Sequence, residues 1–336
     1  MADGLTGLRA RLQLGQAEHL FNLSNFPRVA ALTDVAAPVL QSVGDMAGYA
    51  EALWLAGTAR VRMGASDAAE NLLLQSLDVF GAAGADNAAM LAHNGLGICF
   101  SNQGRYAEAR THYEAYLTRA RAAGYVRGMA NALNNLGSNY ARDGDYVRAH
   151  ELYRESHELA LETGEQLVIA VTLSNLGAVS RALHDYAAAC DFYQRSLAIT
   201  RTIGERRWTA ANLNGLGLVW VDRGDDPAAT ALLLEGLATA LDINSIPDAL
   251  DALTTLAAII ARHGAPALAR TLLCGVLSHA RTMSSARARA REHLDELGHV
   301  EPCPPVVASD ADPALALAAQ VQAYCRTRMG MRLSPH

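Results

Sequence analysis

The chain has 336 residues, 51% of them hydrophobic and 18% charged, a composition that supports a large core and excludes intrinsic disorder. A formal charge of -6 leaves no basic footprint for nucleic acid and no polybasic membrane patch, so neither partner is expected. The opening MADGLTGLRARLQLG lacks the charged and apolar regions of a secretory signal, and no apolar run is long enough to span a bilayer, which predicts a cytoplasmic protein.

Residues 1–16 read as an N-terminal capping segment, and from residue 17 a period of forty begins. Gly57, Gly97, Gly137, Gly177 and Gly217 recur at that interval, with Ala17 and Ala257 at the two ends. Seven residues after each comes a turn position: Gly64, Gly104, Gly144, Gly224 and Gly264, with Ser24 and His184 as exceptions. A second turn position, Gly44, Gly84, Gly124, Gly164 and Gly204, continues as Asn244, the other residue type that ends helices in the left-handed conformation. Between turns the apolar spacing is helical, and Ala69, Ala109, Ala149, Ala189, Ala229 and Ala269 share one position of the second helix. The pattern predicts an all-α chain of about seven helix-turn-helix units over 17–283, each burying its apolar face on its neighbour. A capping helix follows over 284–298, where SSARARARE spreads its arginines around the helix and reads as solvent-facing. A proline-rich linker then covers 299–312, and a C-terminal helix and tail, 313–336, starts at Pro313 after an Asp312 cap.

Strings such as NNLGSNYARDGDYVRAHELYRESHELA and GLGICFSNQGRYAEARTHYEAYL resemble the tetratricopeptide repeat family in its forty-residue form. The family's leucine-glycine pair is matched at Leu96-Gly97, Leu136-Gly137, Leu176-Gly177 and Leu216-Gly217, and its turn aromatic at Tyr106, Tyr146 and Tyr186. This form is similar to the repeats of kinesin light chain, of spindle-orientation adaptors and of bacterial signalling and transcription-regulator proteins. The resemblance implies a right-handed superhelical solenoid whose first helices line a concave face that contacts bound peptide or protein.

Residues 131–137, NALNNLG, carry three asparagines in a helical segment that disfavours them. Asn131, Asn134, Asn135 and Ser138 share one helical stripe, and the position of Asn134 recurs as Trp54, Asn94, Ser174 and Asn214. Asn175 repeats Asn135. Such a polar row suits the backbone of an extended peptide, with Arg142 and Arg181 placed for an acidic group, although bridging between adjacent first helices is the structural alternative. Trp54, Leu55, Leu91 and Ile98 give the N-terminal end of the same face an apolar character, or else pack beneath the N-terminal segment.

Chemistry is otherwise sparse. No GxxxxGK[ST] loop or GxSxG elbow occurs, and all 28 basic residues are arginine, so no Walker-type lysine exists. His150 and His157 share a helix face but supply only two metal ligands, Asp143, Asp145, Glu165 and Asp185 read as turn and capping carboxylates, and His93 and Cys99 read as a surface residue and a buried thiol. Five cysteines without a CxxC pair predict free thiols rather than a disulfide framework. The expectation is a non-enzymatic binding scaffold without metal or cofactor. Two other readings are a ligand-responsive sensor, whose C-terminal helix latches into its own groove through Leu317, Val321 and Tyr324, and a self-assembling repeat protein using Trp208 or Trp220.

Overall fold

The computed structural model describes residues 2–298 and 313–328, and all regular structure among them is α-helical. Two compact units divide the chain, Met1–Gly164 and Glu165–His336. The first holds four hairpins: α1 (Ala2–Asn22) with α2 (Phe26–Ser42), α3 (Met46–Arg62) with α4 (Ser66–Ala82), α5 (Asp86–Asn102) with α6 (Tyr106–Ala122), and α7 (Val126–Arg142) with α8 (Tyr146–Thr163). The second holds three: α9 (Gln166–Ala182) with α10 (Tyr186–Thr202), α11 (Arg206–Asp222) with α12 (Asp226–Asp242), and α13 (Ile246–Arg262) with α14 (Pro266–Ser278). They are followed by α15 (Ser284–Glu296) and α16 (Pro313–Arg328).

The turns obey the sequence. Every twentieth residue from 24 to 264 has positive φ, including the three that are not glycine: Ser24 at 58°, His184 at 62° and Asn244 at 54°. In a typical turn the chain reverses at Gly104 and the Arg105 N–H donates back to the Phe100 carbonyl at 2.9 Å, satisfying a helix-end acceptor. Asp45, Asp145, Asp185 and Asp225 cap the helices that follow, each accepting from a backbone N–H three residues on. Asp143 stands at the C-terminal end of α7, in the turn, and its side chain ion-pairs with Arg110 at 2.7 Å.

Close approach within hairpins explains the first-helix glycines. A Cβ at Gly97 would lie 2.4 Å from the Tyr113 ring, and one at Gly137 would lie 2.8 Å from Tyr153. Opposite them, Ala109 and Ala149 are completely buried. Second-helix serines tie each hairpin further: Ser76, Ser156 and Ser196 donate to the carbonyls of Ala50, Ala130 and Ala170 at 2.7–2.8 Å.

The chain ends depart from expectation. α1 runs unbroken through residue 17, so residues 2–16 belong to the first helix of the first hairpin and bury Ala10 and Leu14 rather than forming a separate cap. α15 stands where the capping helix was expected, yet it buries Ala286 and Ala290, and Arg289 ion-pairs with Asp251 of α13 at 2.6 Å. α16 docks on α12, α13 and α14: Leu317, Val321 and Cys325 are buried in the core of the second unit, and the Tyr324 hydroxyl donates to the His263 carbonyl at 3.2 Å. Trp220 packs against that core with Arg223 stacked over its ring. The expected linker, Asp312 and the final residues lie outside the described residues. Cys99, Cys190 and Cys325 are free thiols as expected, but Cys274 is disulfide-bonded, which corrects the reading of every cysteine as a thiol. No described helix is long and apolar enough to cross a membrane.

Candidate functional site

In the first unit, α5 and α7 bring two of the expected asparagines together. The Asn135 amide on α7 donates to the Asn94 amide oxygen on α5 at 2.7 Å, so bridging of adjacent first helices does occur here. Neither side chain is consumed by this bond. The amide N–H groups of Asn94 and the amide oxygen of Asn135 have no partner among the described residues, and both residues are only half-buried. The pair therefore presents a fixed donor beside a fixed acceptor, the complement of one peptide unit.

The rest of the stripe divides by depth. Asn134 is half-buried on the same turn. Asn131 hydrogen-bonds the Tyr116 phenol, a group pushed up to about 12 by burial. Ser138, expected in the polar row open to a peptide, is already engaged within its hairpin: its hydroxyl donates to the Asn134 carbonyl at 3.0 Å and accepts from Tyr153 of α8 at 2.9 Å. The cause is its neighbour, because Gly137 lets the Tyr153 ring lie so close that the phenol reaches the next side chain.

Arginines at the ends of the first helices separate the two units. Arg142 makes only a long 3.5 Å contact to Asn102, and neither it nor Arg62 has a carboxylate partner among the described residues. Burial raises the Tyr113 phenol, and the charges of Arg142 and Arg62 partly oppose that rise. In the second unit the matching charges are already satisfied. Arg181 ion-pairs with Asp222 at 2.8 Å and Arg262 with Asp226 at 2.5 Å, so Arg181 is not the open acid receptor expected of it. Ser174 is 7% exposed. Asn214 is 4% exposed and donates to the Asp248 carbonyl at 3.0 Å, its amide oxygen lying against Gly236. Asn175 is half-buried.

The apolar end is largely core. Leu55 is 1% exposed and joins α1 and α2 residues in the first hydrophobic cluster, because its position faces the preceding hairpin. Trp54 is half-buried with its ring 5.9 Å from Phe21 of α1, so packing under the N-terminal helix is realised. Ile98 packs on the neighbouring cluster, and Leu91, 41% exposed, is the surface residue of the four.

Two features escaped the sequence reading. Glu51 is raised to about 7 by burial and by the adjacent Glu18, with Arg11 3.7 Å away. His93, expected at the surface, is 8% exposed, and its Nδ1 lies 3.0 Å from Nδ1 of His112 on α6. The forty-residue period held the signal: the position of His93 is Leu53, Leu133, Leu173, Leu213 and Leu253 in five other hairpins and Gln13 in the first, and that of His112 is Leu32, Leu72, Leu152, Phe192, Leu232 and Leu272.

The sequence profile of the tetratricopeptide repeat matches residues 87–162 and 168–242, and the hairpins built there carry its glycine-aromatic and alanine contacts. These two stretches are tetratricopeptide repeats. Among solved structures, the chain is similar to the apo form of RapI, 14% identical with a TM-score of 0.66, over 84% of this chain and 99% of that one. A Rap protein complexed with competence and sporulation factor is 17% identical with a TM-score of 0.65, covering 86% of this chain and 76% of that one. The apo quorum sensor NprR from B. thuringiensis is 14% identical with a TM-score of 0.60, covering 86% and 87%. At these identities the likeness establishes the fold. No curated protein matches the chain.

Proposed function

We propose that this protein is a non-enzymatic regulatory scaffold that binds an extended peptide, or the tail of a partner protein, on the first-helix face of residues 1–164. The Asn94–Asn135 pair carries the reading, because a bridged amide pair that keeps one donor and one acceptor open is preset for a peptide backbone. Arg62 and Arg142, without acid partners, take a carboxylate of the ligand. Support comes from proteins of the same fold, since a Rap protein is complexed with competence and sporulation factor and NprR with its cognate peptide NprX. The second unit contributes less to recognition, its Arg181 and Arg262 being internally paired. We read α16 as a cap rather than a latch, because Leu317 and Val321 are continuous with the core of α13 and α14.

A displayed random-peptide selection on the protein, counter-selected against an Arg62→Glu/Arg142→Glu variant, tests this. Recovered peptides are expected to carry acidic residues and to bind the variant at least about tenfold more weakly, the scale of one lost charge-assisted contact. Asn94→Ala/Asn135→Ala is expected to weaken them with the fold intact. Peptides that bind all three proteins alike overturn the assignment.

A further inference from the structure

α1 is apolar on two faces. Ala10, Leu14 and Ala17 are buried in the cluster shared with α2 and α3, while Leu5, Leu8 and Leu12 are 71%, 64% and 70% exposed. Leu5 and Leu14 stand nine residues apart, about two and a half turns of helix, so the exposed leucines lie opposite the buried face. Their three- and four-residue spacing is that of a helix-packing seam, and it continues through Gly15 and His19.

The forty-residue period shows what this face does elsewhere. The position of Leu12 is Ala52, Ala92, Ala132, Thr172, Asn212 and Ala252 in the later first helices, and each of these is completely buried. The preceding hairpin covers it: the Asn212 amide of α11 donates to the Ser196 hydroxyl of α10 at 2.8 Å, and Ala52 joins the cluster of α1 and α2. The position of Gly15 makes the same contact, since a Cβ at Gly95 would lie 2.9 Å from Leu73 of α4, and one at Gly215 would lie 2.4 Å from Tyr193 of α10. On α1 this face is open, with nothing within 4 Å of a Cβ at Gly15. A terminal repeat that ends in water carries a polar outer face. α1 instead carries leucine where the later helices carry alanine, threonine or asparagine, which leaves apolar area in water unless a partner covers it.

We propose that the Leu5–Leu8–Leu12 face of α1 is a self-association surface, on which α1 of a second copy of this chain packs across a two-fold axis. The seam positions carry no carboxylate or guanidinium, Arg11 being held aside by Asp45 and Glu51, so the leucine row meets its own copy without burying an unpaired ion. A head-to-tail stack has no vacant hairpin face to use at α13–α14. α15 and α16 cover that hairpin, with Ala290, Leu317 and Val321 buried in its core and Arg289 paired with Asp251 at 2.6 Å. An isologous pair, which uses one face twice and closes, needs no second face. The size of the contact agrees: α1 has 21 residues and is about 31 Å long, and two such helices side by side bury on the order of 1,000 Å², the lower limit of a specific interface and the scale of a reversible dimer. The surface is independent of the peptide reading, because it shares no residue with it.

Sedimentation equilibrium of the full chain from about 1 to 200 µM tests this and is expected to show monomer–dimer exchange. Leu8→Glu/Leu12→Glu is expected to weaken the dimer at least about tenfold while the helical content stays that of the parent, both side chains being exposed. Leu8→Arg/Leu12→Arg is expected to do the same alone. An equimolar mixture of the two variants is expected to dimerise again, which only the pairing of one α1 face with another produces. The proposal is overturned if the parent is monomeric throughout, if the glutamate variant associates as the parent does, or if the mixture stays monomeric.

Discussion

The α5–α6 and α7–α8 hairpins lie one period apart and share their frame. Gly97 and Gly137 accept the Tyr113 and Tyr153 rings, and Ala109 and Ala149 are buried at the same contact. Their interiors differ. Where α7–α8 packs Leu133 and Leu152, α5–α6 pairs His93 with His112, and where Ser156 ties its hairpin to the Ala130 carbonyl, Tyr116 reaches out to Asn131 of α7. The backbone of the repeat is thus set by glycine, alanine and turn positions. The layer between the helices is free to become polar when all its members change together.

Transplanting half of that difference is expected to break it most severely. Leu133→His/Leu152→His imports the histidines without the Phe100 ring that lies 5.3 Å from that of His112, and removes two buried leucines. A loss of about 4 kcal/mol or more is expected, read as a lower denaturant midpoint with unchanged slope. A variant as stable as the parent would mean that any hairpin tolerates the pair, and that its single occurrence is uninformative.

The reverse exchange sharpens the comparison through pH. His93 titrates near 4 when folded, below the ordinary histidine value of 6.5, so the folded state binds fewer protons than the unfolded chain across that interval. Stability from this group is therefore complete above pH 6.5 and is lost as pH falls towards 4; the full shift corresponds to roughly 3 kcal/mol. His93→Leu/His112→Leu is expected to flatten that part of the profile while the carboxylate contributions remain. Parallel pH profiles for the two proteins would remove the histidines from the acid response.

The repeat was legible because its requirements are backbone requirements. A left-handed turn selects Gly or Asn, and a close helix crossing selects Gly against Tyr, so Gly104, Gly137 and Asn244 could be placed from sequence alone. The candidate site was less legible because a helical stripe gives direction but not depth. Asn94 and Asn135 stayed half open, whereas Ser138 was engaged by Tyr153 and Leu55 was covered by the preceding hairpin. Charge posed the same difficulty. Arg142 stands five residues after its repeat glycine and Arg181 four after its own, and the sequence did not show that Asp222 of α11 pairs with Arg181. His93 was misplaced because a polar residue suggests a surface, while comparison at a lag of forty would have put it in the core.

The smallest effect concerns the turn inside a hairpin, which is Gly144 between α7 and α8 but His184 between α9 and α10. Both are left-handed, with φ of 89° and 62°. A side chain at such an angle crowds its own carbonyl and costs roughly 1 kcal/mol, whereas glycine pays instead in unfolded-state entropy. His184 recovers a little through the 3.0 Å contact between its Nδ1 and the Tyr186 hydroxyl, but that contact is exposed and competes with water. Since no Cβ contact is available at the glycine of the matching turn, packing adds nothing to either side of the balance. His184→Gly is therefore expected to stabilise the protein by about 0.5 kcal/mol, a rise of 1–2 °C in the unfolding midpoint. Gly144→His should lower it by a similar amount. A loss of stability in His184→Gly would show that the histidine ring holds this turn more strongly than backbone strain opposes it.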